Sequence, residues 1–133
     1  IEQNIINLNI TLPKTADPVG SYVAIKITGK LLYISGQISI DDKGELIKGK
    51  LGKGLKTEDG YNAAKRCGLS IVSQAKKACN SDLAKIKSCI KLTGFVNSAD
   101  DFINLVQLTN SLLSEILALG KPEQRCLCAL AVK

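Results

Sequence analysis

Hydrophobic and polar positions recur at two periods along this chain, and the changes of period mark its elements. Tyr22 to Thr28 alternates, with Val23, Ile25 and Ile27 on one side and Tyr22, Ala24, Lys26 and Thr28 on the other. That is the pattern of a half-buried strand. Gly29-Lys30 is a two-residue link of the kind that closes a hairpin. The second arm reads from Leu31 to Ile40, with Leu32, Ile34, Ile38 and Ile40 toward the core and Leu31, Tyr33, Ser35, Gln37 and Ser39 away from it. Gly36 breaks the rule at a core-side position. A glycine there marks either a bulge with a tight packing contact or a space left for a ligand, with Ser35 and the local backbone at its edge.

The remaining elements follow by the same reading. Ile1, Ile5 and Leu8 have helical spacing, and Leu12-Pro13 ends that short helix. Residues 15–20 form a turn-rich connector, and Asp41-Asp42-Lys43-Gly44 is a second turn before a short strand from Glu45 to Lys48. Lys48 to Lys56 is a basic, glycine-rich loop that matches neither the P-loop nor the dinucleotide fingerprint. Thr57 is placed to cap a helix, with Glu58 and Asp59 favouring its dipole. That helix carries Ala64, Cys67, Ile71, Ala75 and Cys79 on one stripe, with Lys65, Arg66, Ser73, Lys76 and Lys77 off it. Asn80-Ser81-Asp82 connects it to a long alternating strand, Lys85 to Val96, with Ile86, Ile90, Leu92 and Val96 on its covered face. Ser98 and Asp101 then open a second helix with the stripe Phe102, Leu105, Leu112, Leu113 and Ile116, ending before Gly120. Arg125 to Val132 is a last apolar strand.

Hairpin, helix, strand, helix, strand is an α+β order, with two main helices on one face of a mixed sheet. The 133 residues make a single domain with no internal repeat. The sheet's other face includes Tyr22, Tyr33 and Ser35, and an uncovered semi-apolar face of this kind invites self-association.

Composition narrows the chemistry. The net charge of +6 permits nucleic acid or anionic partners, but the lysines are scattered and only two Phe and three Tyr offer stacking surfaces. A solvated basic surface fits better, and nucleic acid is not the favoured partner. Histidine is absent, which removes Ser-His-Asp and Cys-His catalysis. Five irregularly spaced cysteines (67, 79, 89, 126 and 128) are neither a disulfide framework nor, without histidine, a zinc set. Free thiols in a reducing compartment are expected, with cytoplasm as the default, no metal and no cofactor. No apolar run is long enough for a membrane helix, and no signal peptide is visible.

Arg125 is the sole cation in its apolar run, Arg-Cys-Leu-Cys-Ala-Leu-Ala-Val. A guanidinium fork can hold a carboxylate by two parallel hydrogen bonds, and an exposed strand-end arginine is the plain alternative. Asn110 is either a site amide or a surface one, and Tyr22 either a cleft aromatic or a hairpin edge residue.

Several short pieces, in order and over nearly the whole chain, carry a resemblance. They are Ile10-Thr11-Leu12-Pro13, Val19-Gly20-Ser21-Tyr22-Val23, Ser35-Gly36-Gln37, Gly49-Lys50-Leu51-Gly52, residues 58–64, Gly94-Phe95-Val96-Asn97-Ser98 and Gln124-Arg125-Cys126. The sequence resembles the RidA (YjgF) family of small trimeric imine and enamine deaminases, also called translation inhibitors or L-PSP endoribonucleases, in its YjgF-like branch. The resemblance implies a trimeric chorismate-mutase-like subunit, three sheets packed into a central barrel, and ligand clefts between subunits. It implies Tyr22, Ser35 and Arg125 as catalytic residues, with Arg125, Gly36, Gln37 and Asn110 binding substrate. Leu127 falls where the family carries a cysteine, so no cysteine role transfers.

Family members continue into a turn and a last strand whose glutamate orients the attacking water. The sequence stops at Lys133, so a natural protein longer by roughly 15 to 20 residues is expected, about one turn and one strand. The implied activity is hydrolytic deamination of reactive 2-imino or 2-enamine acids to 2-keto acids and ammonia, on a small carboxylate metabolite in a homotrimer. The alternatives are a carboxylate-binding trimer acting as sensor or scaffold without turnover, and an RNA-directed translation inhibitor or endoribonuclease.

Overall fold

The computed structural model describes residues 2–15, 18–103 and the backbone of 128–131. In order, the elements are α1 (Glu2–Asn7), β1 (Ile25–Thr28), β2 (Leu31–Ile34), β3 (Lys50–Leu51), β4 (Gly54–Leu55), α2 (Thr57–Ala78), a 3₁₀ turn (Leu83–Lys85), β5 (Leu92–Phe95) and β6 (Cys128–Ala131). Three two-stranded ladders form among the described residues: β1–β2 antiparallel, β3–β4 parallel and β5–β6 parallel. The mixed α+β character of the sequence reading holds, with small sheets rather than one continuous sheet among those residues.

α2 is the centre of the packing. Ala64 and Cys67 bury against Ile71 and Leu92 of β5. Val72 and Leu83 bury with Ile5, Leu12, Ala75 and Ile86, so the N-terminal segment and the 3₁₀ turn cover a second side of the same helix. A helix covered on two sides needs more than one stripe. Its buried set therefore widens to include Gly60, Ala63, Gly68, Leu69, Ser73 and Gln74. Ser73, expected off the stripe, is buried and donates to the Pro13 carbonyl at 2.6 Å. That bond fastens the N-terminal segment to the helix.

Both helices stop by the same device. Ile10 N–H reaches Ile5 O at 2.9 Å while Asn9 N–H reaches Ile6 O at 3.0 Å. Ser81 N–H reaches Lys76 O at 2.8 Å while Asn80 N–H reaches Lys77 O at 3.3 Å. These are Schellman pairs, with Asn9 and Asn80 supplying the left-handed residue at φ 50° and 54°. α1 therefore ends before Leu12-Pro13. At its other end, α2 is capped by Lys56 and not Thr57, which is the first helical residue. Asp59 holds the start by accepting from Lys56 N–H at 2.8 Å.

Three strands are shorter than their alternation predicts. β1 begins only at Ile25, and Val23, expected inward, is 61% exposed. Ile27 is also exposed. β2 stops at Ile34, and the chain from Ser35 is irregular until Ile40 forms an isolated antiparallel bridge with Leu46. The Gln37 side chain bonds to the Ser35 carbonyl there, a local bond of the kind that competes with a ladder. The expected strand over 85–96 is realised only at Leu92–Phe95. Asp82 caps the 3₁₀ turn through Ala84 N–H, and Ile90 is 67% exposed instead of covered. The predicted second helix lies largely outside the described residues. Its opening is seen, with Ser98 bridged to Leu51 and Ala99 N–H on Leu51 O at 2.8 Å.

The glycine-rich loop is more ordered than a plain loop. Leu51 is buried, Asn97 Nδ2 donates to Gly49 O at 2.8 Å, and Leu51 N–H to Asn97 O at 3.0 Å. A Cβ added at Gly49 would meet the Leu55 side chain at 2.6 Å, so glycine is required there.

Candidate functional site

The hairpin brings the first group of predicted residues together. Thr28 pairs with Leu31 across Gly29-Lys30, and Gly29 takes the positive φ of 53° that such a link needs. The register Ile25–Ile34 then sets Ser35 beside Ala24, whose carbonyl accepts from Ser35 N–H at 3.0 Å. The Ser35 hydroxyl reaches the Val23 carbonyl at 2.5 Å. Tyr22, half exposed, precedes that contact and donates its N–H to Gly20 O at 2.8 Å. Tyr22, Ser35, Gly36 and Gln37 thus sit on two segments joined by short hydrogen bonds.

Gly36 decides between its two sequence readings. Among the described residues, no heavy atom outside its chain neighbours lies within 4 Å of where its Cβ would be. A tight packing contact with those residues is therefore not the reason for this glycine, and toward them the position is open. Gln37 folds over the same turn, with Nε2 donating to Ser35 O at 2.9 Å and Gly36 O at 3.4 Å. Asn110 and Arg125 lie outside the described residues. Arg125 precedes β6, whose Cys128 pairs in parallel with Leu92.

Among the described residues, β2 and β5 each leave apolar side chains exposed. Leu32 and Ile34 are half-buried on the side of α2, so Leu31 and Tyr33 point the other way, with Tyr33 57% exposed. On β5, Leu92 packs toward α2 and Phe95 alternates outward at 69% exposure. Tyr22 and Ile38 are exposed as well.

A second concavity was not legible in the sequence. A groove of about 600 Å³ runs between residues 8–11, the Asp41-Asp42 turn, Ile47, and Asn62, Lys65, Arg66 and Leu69 of α2. Arg66 grips Asp42 with both guanidinium nitrogens. Asp41 Oδ1 accepts from Glu45 N–H at 2.8 Å and Lys43 N–H at 2.9 Å. The Glu45 bond above all holds its carboxyl below the ordinary range, with help from Lys43 and Arg66. None of the predicted site residues lines this groove.

Among the described residues, no group of three or more His, Cys, Asp or Glu side chains could hold a metal ion. Cys67, Cys79 and Cys89 are not joined in disulfides, and burial pushes the Cys67 thiol up to about 11. A thiol so shielded is a packing residue and not a nucleophile. No described helix is long and apolar enough to cross a membrane.

Comparison with known proteins gives the family and the fold. A family model described as "YjgF/chorismate mutase-like, putative endoribonuclease" matches residues 2–127. Protein TCP17 of Trypanosoma cruzi is 34% identical over 134 residues, covering 99% of this chain and 83% of that protein. The crystal structure of Atu1372, a protein of unknown function from Agrobacterium tumefaciens, superposes with a TM-score of 0.80 at 33% identity, covering 98% of this chain and 81% of that one. A structure titled "putative endoribonuclease" from Shewanella oneidensis gives 0.83 at 27% identity, covering 99% and 87%.

Proposed function

The chain belongs to the YjgF/chorismate mutase-like family, and from that premise we propose that it hydrolyses reactive 2-imino and 2-enamine acids to 2-keto acids and ammonia. The observation that supports this reading is the open position at Gly36, next to Ser35, whose hydrogen bonds to the Val23 and Ala24 carbonyls tie it to the segment that follows Tyr22. Arg125, ahead of β6, forks the substrate carboxylate. With the carboxylate fixed, the imine carbon is held near the Gly36 turn. Water adds to it, the C–O bond forms, the C–N bond breaks, and both water protons leave with nitrogen as ammonia. An enamine first takes a proton at its carbon to give the iminium, which releases one N–H proton to become the imine. Positioning and polarisation carry the rate, so no metal or nucleotide is needed. Asn110 and the Tyr22 loop complete the cleft.

The reading extends to assembly. Exposed apolar side chains on β2 (Leu31, Tyr33) and on β5 (Phe95) are suited to burial against further copies of the chain, which supports a homotrimer with clefts between subunits.

The test is direct. An amino-acid oxidase generates imino acids in place, and keto-acid release is followed with and without the protein. Acceleration is expected, and Arg125→Ala is expected to lose about a hundredfold of it with an unchanged melting temperature. Unchanged turnover in that variant overturns the proposal. Keto-acid-dependent melting shifts without acceleration point instead to a carboxylate sensor.

Ribonuclease action is the second reading, favoured by the names of the family and of the Shewanella relative. The sequence has no histidine for acid–base cleavage and few aromatics for stacking. RNA cleavage that copurifies with the chain and is lost on site substitution would establish this reading instead.

A further inference from the structure

Both polar side chains of the Ser35-Gly36-Gln37 turn bond back to main chain. A carbonyl oxygen cannot donate, so the Ser35 hydroxyl is the donor in its 2.5 Å contact with Val23 O, and its one proton is committed. The same residue's N–H holds Ala24 O at 3.0 Å. Two bonds from Ser35 therefore fix the two residues that follow Tyr22. On the other side of Tyr22, its N–H closes onto Gly20 O, and a Cβ at Gly20 would already touch the Tyr22 ring at 3.5 Å. Gln37 Nε2 closes the turn from below through Ser35 O and Gly36 O.

We propose that Ser35 is a positioning residue for the reaction and not a catalytic one: through the Val23 carbonyl, its hydroxyl ties the Tyr22-bearing loop to the open Gly36 position. The reaction in this statement rests on the deaminase reading; the tie rests on the hydrogen bonds alone. One chemical consequence is specific. Oγ retains only lone pairs, so it offers no donor to a substrate carboxylate, and that group is left to Arg125. A substrate group that reaches Ser35 must itself be a donor, such as a protonated imine nitrogen.

Three variants test this. Ser35→Ala removes the tie, Ser35→Thr keeps a hydroxyl, and Ser35→Cys keeps the shape with a weak donor. Amide hydrogen exchange across residues 20–25 is followed by mass spectrometry, and kcat and KM by oxidase-coupled imine hydrolysis. Ser35→Ala is expected to speed exchange in that segment about tenfold and lower kcat/KM by about tenfold, the worth of one neutral hydrogen bond. Ser35→Thr restores both within twofold, and Ser35→Cys falls between, which carries the test should the alanine variant not fold. In a Tyr22→Phe background, Ser35→Ala costs less than twofold, because the two act through one loop.

A loss of a hundredfold or more in kcat with unaltered exchange, or full additivity with Tyr22→Phe, overturns the proposal in favour of direct contact. Faster exchange with unchanged kinetics overturns it too, since the tie would then not serve the reaction. A wild-type protein without turnover removes the deaminase reading, while the exchange measurement still decides whether Ser35 holds the Tyr22 loop.

Discussion

The two sides of this chain are built to different standards. On the α2 side, Cys67 and Leu83 are 0% and 1% exposed, two apolar clusters are closed, and even a serine finds a partner in Pro13 O. On the outward sides of β2 and β5, Tyr33 and Phe95 lie more than half open, and the turn that follows Tyr33 holds a glycine that faces space. Among the described residues the first side is covered and the second is not, and the second carries the predicted site residues Tyr22, Ser35, Gly36 and Gln37. Packing and the proposed site thus fall on different sides of the described residues. Substitutions on the helix side should act on the fold, and those on the open side on assembly and turnover.

The largest stability effect is expected at Leu83. Leu83→Ala empties a buried position among Val72, Ile5, Leu12 and Ile86 and should cost about 2–5 kcal/mol in urea unfolding. A loss under 1 kcal/mol would mean that the helix side is not closed as described.

Cys67 sharpens the same point through pH. Its thiol ordinarily titrates at 9.0 and is pushed up to about 11 in the fold. Between those values the unfolded chain releases a proton that the folded chain keeps. Stability should therefore fall as pH rises from 9 to 11, by about 2 kcal/mol. Cys67→Ala should remove that part of the slope, as read from unfolding free energies at several pH values.

The two sides can be set against each other with glycines. Gly49→Ala drives a methyl into Leu55 at 2.6 Å and at φ +152°, and should cost about 1–3 kcal/mol. Gly36→Ala meets no atom within 4 Å and should leave the melting temperature nearly unchanged while lowering imine turnover. Equal destabilisation by both would erase the distinction between a packed and an open glycine.

The smallest effect is expected at the groove. The Arg66–Asp42 pair is exposed, with side chains 30% and 78% accessible, so Arg66→Ala should cost under about 1 kcal/mol and less at high salt. A larger loss would mark the groove as part of the stabilised side.

Much of this was legible in the residues. The hairpin and α2 follow from periods of two and 3.6, and Gly29 and Asn80 punctuate them where turn chemistry requires. The family followed from short motifs spread along the chain. What escaped has physical reasons. Alternation over 35–40 and 85–96 predicts strands only where a ladder wins, and at Gln37 a local side-chain bond wins instead. The double coverage of α2 was hidden because Leu12, Pro13 and Leu83 are distant in sequence. The site's residue types were visible, but not the commitment of the Ser35 proton, since its acceptor is a backbone carbonyl that any residue carries. The groove was invisible for a similar reason, being assembled from separate segments.

We propose that the open side is completed by further copies of the chain and that the chemistry resides there. Size-exclusion chromatography of the wild type and Tyr33→Lys, with imine hydrolysis assayed across each profile, tests it most directly. The account predicts that wild-type activity elutes at three times the mass of one chain. It predicts that Tyr33→Lys elutes as a folded single chain without activity. Full activity in the single-chain fraction would contradict it.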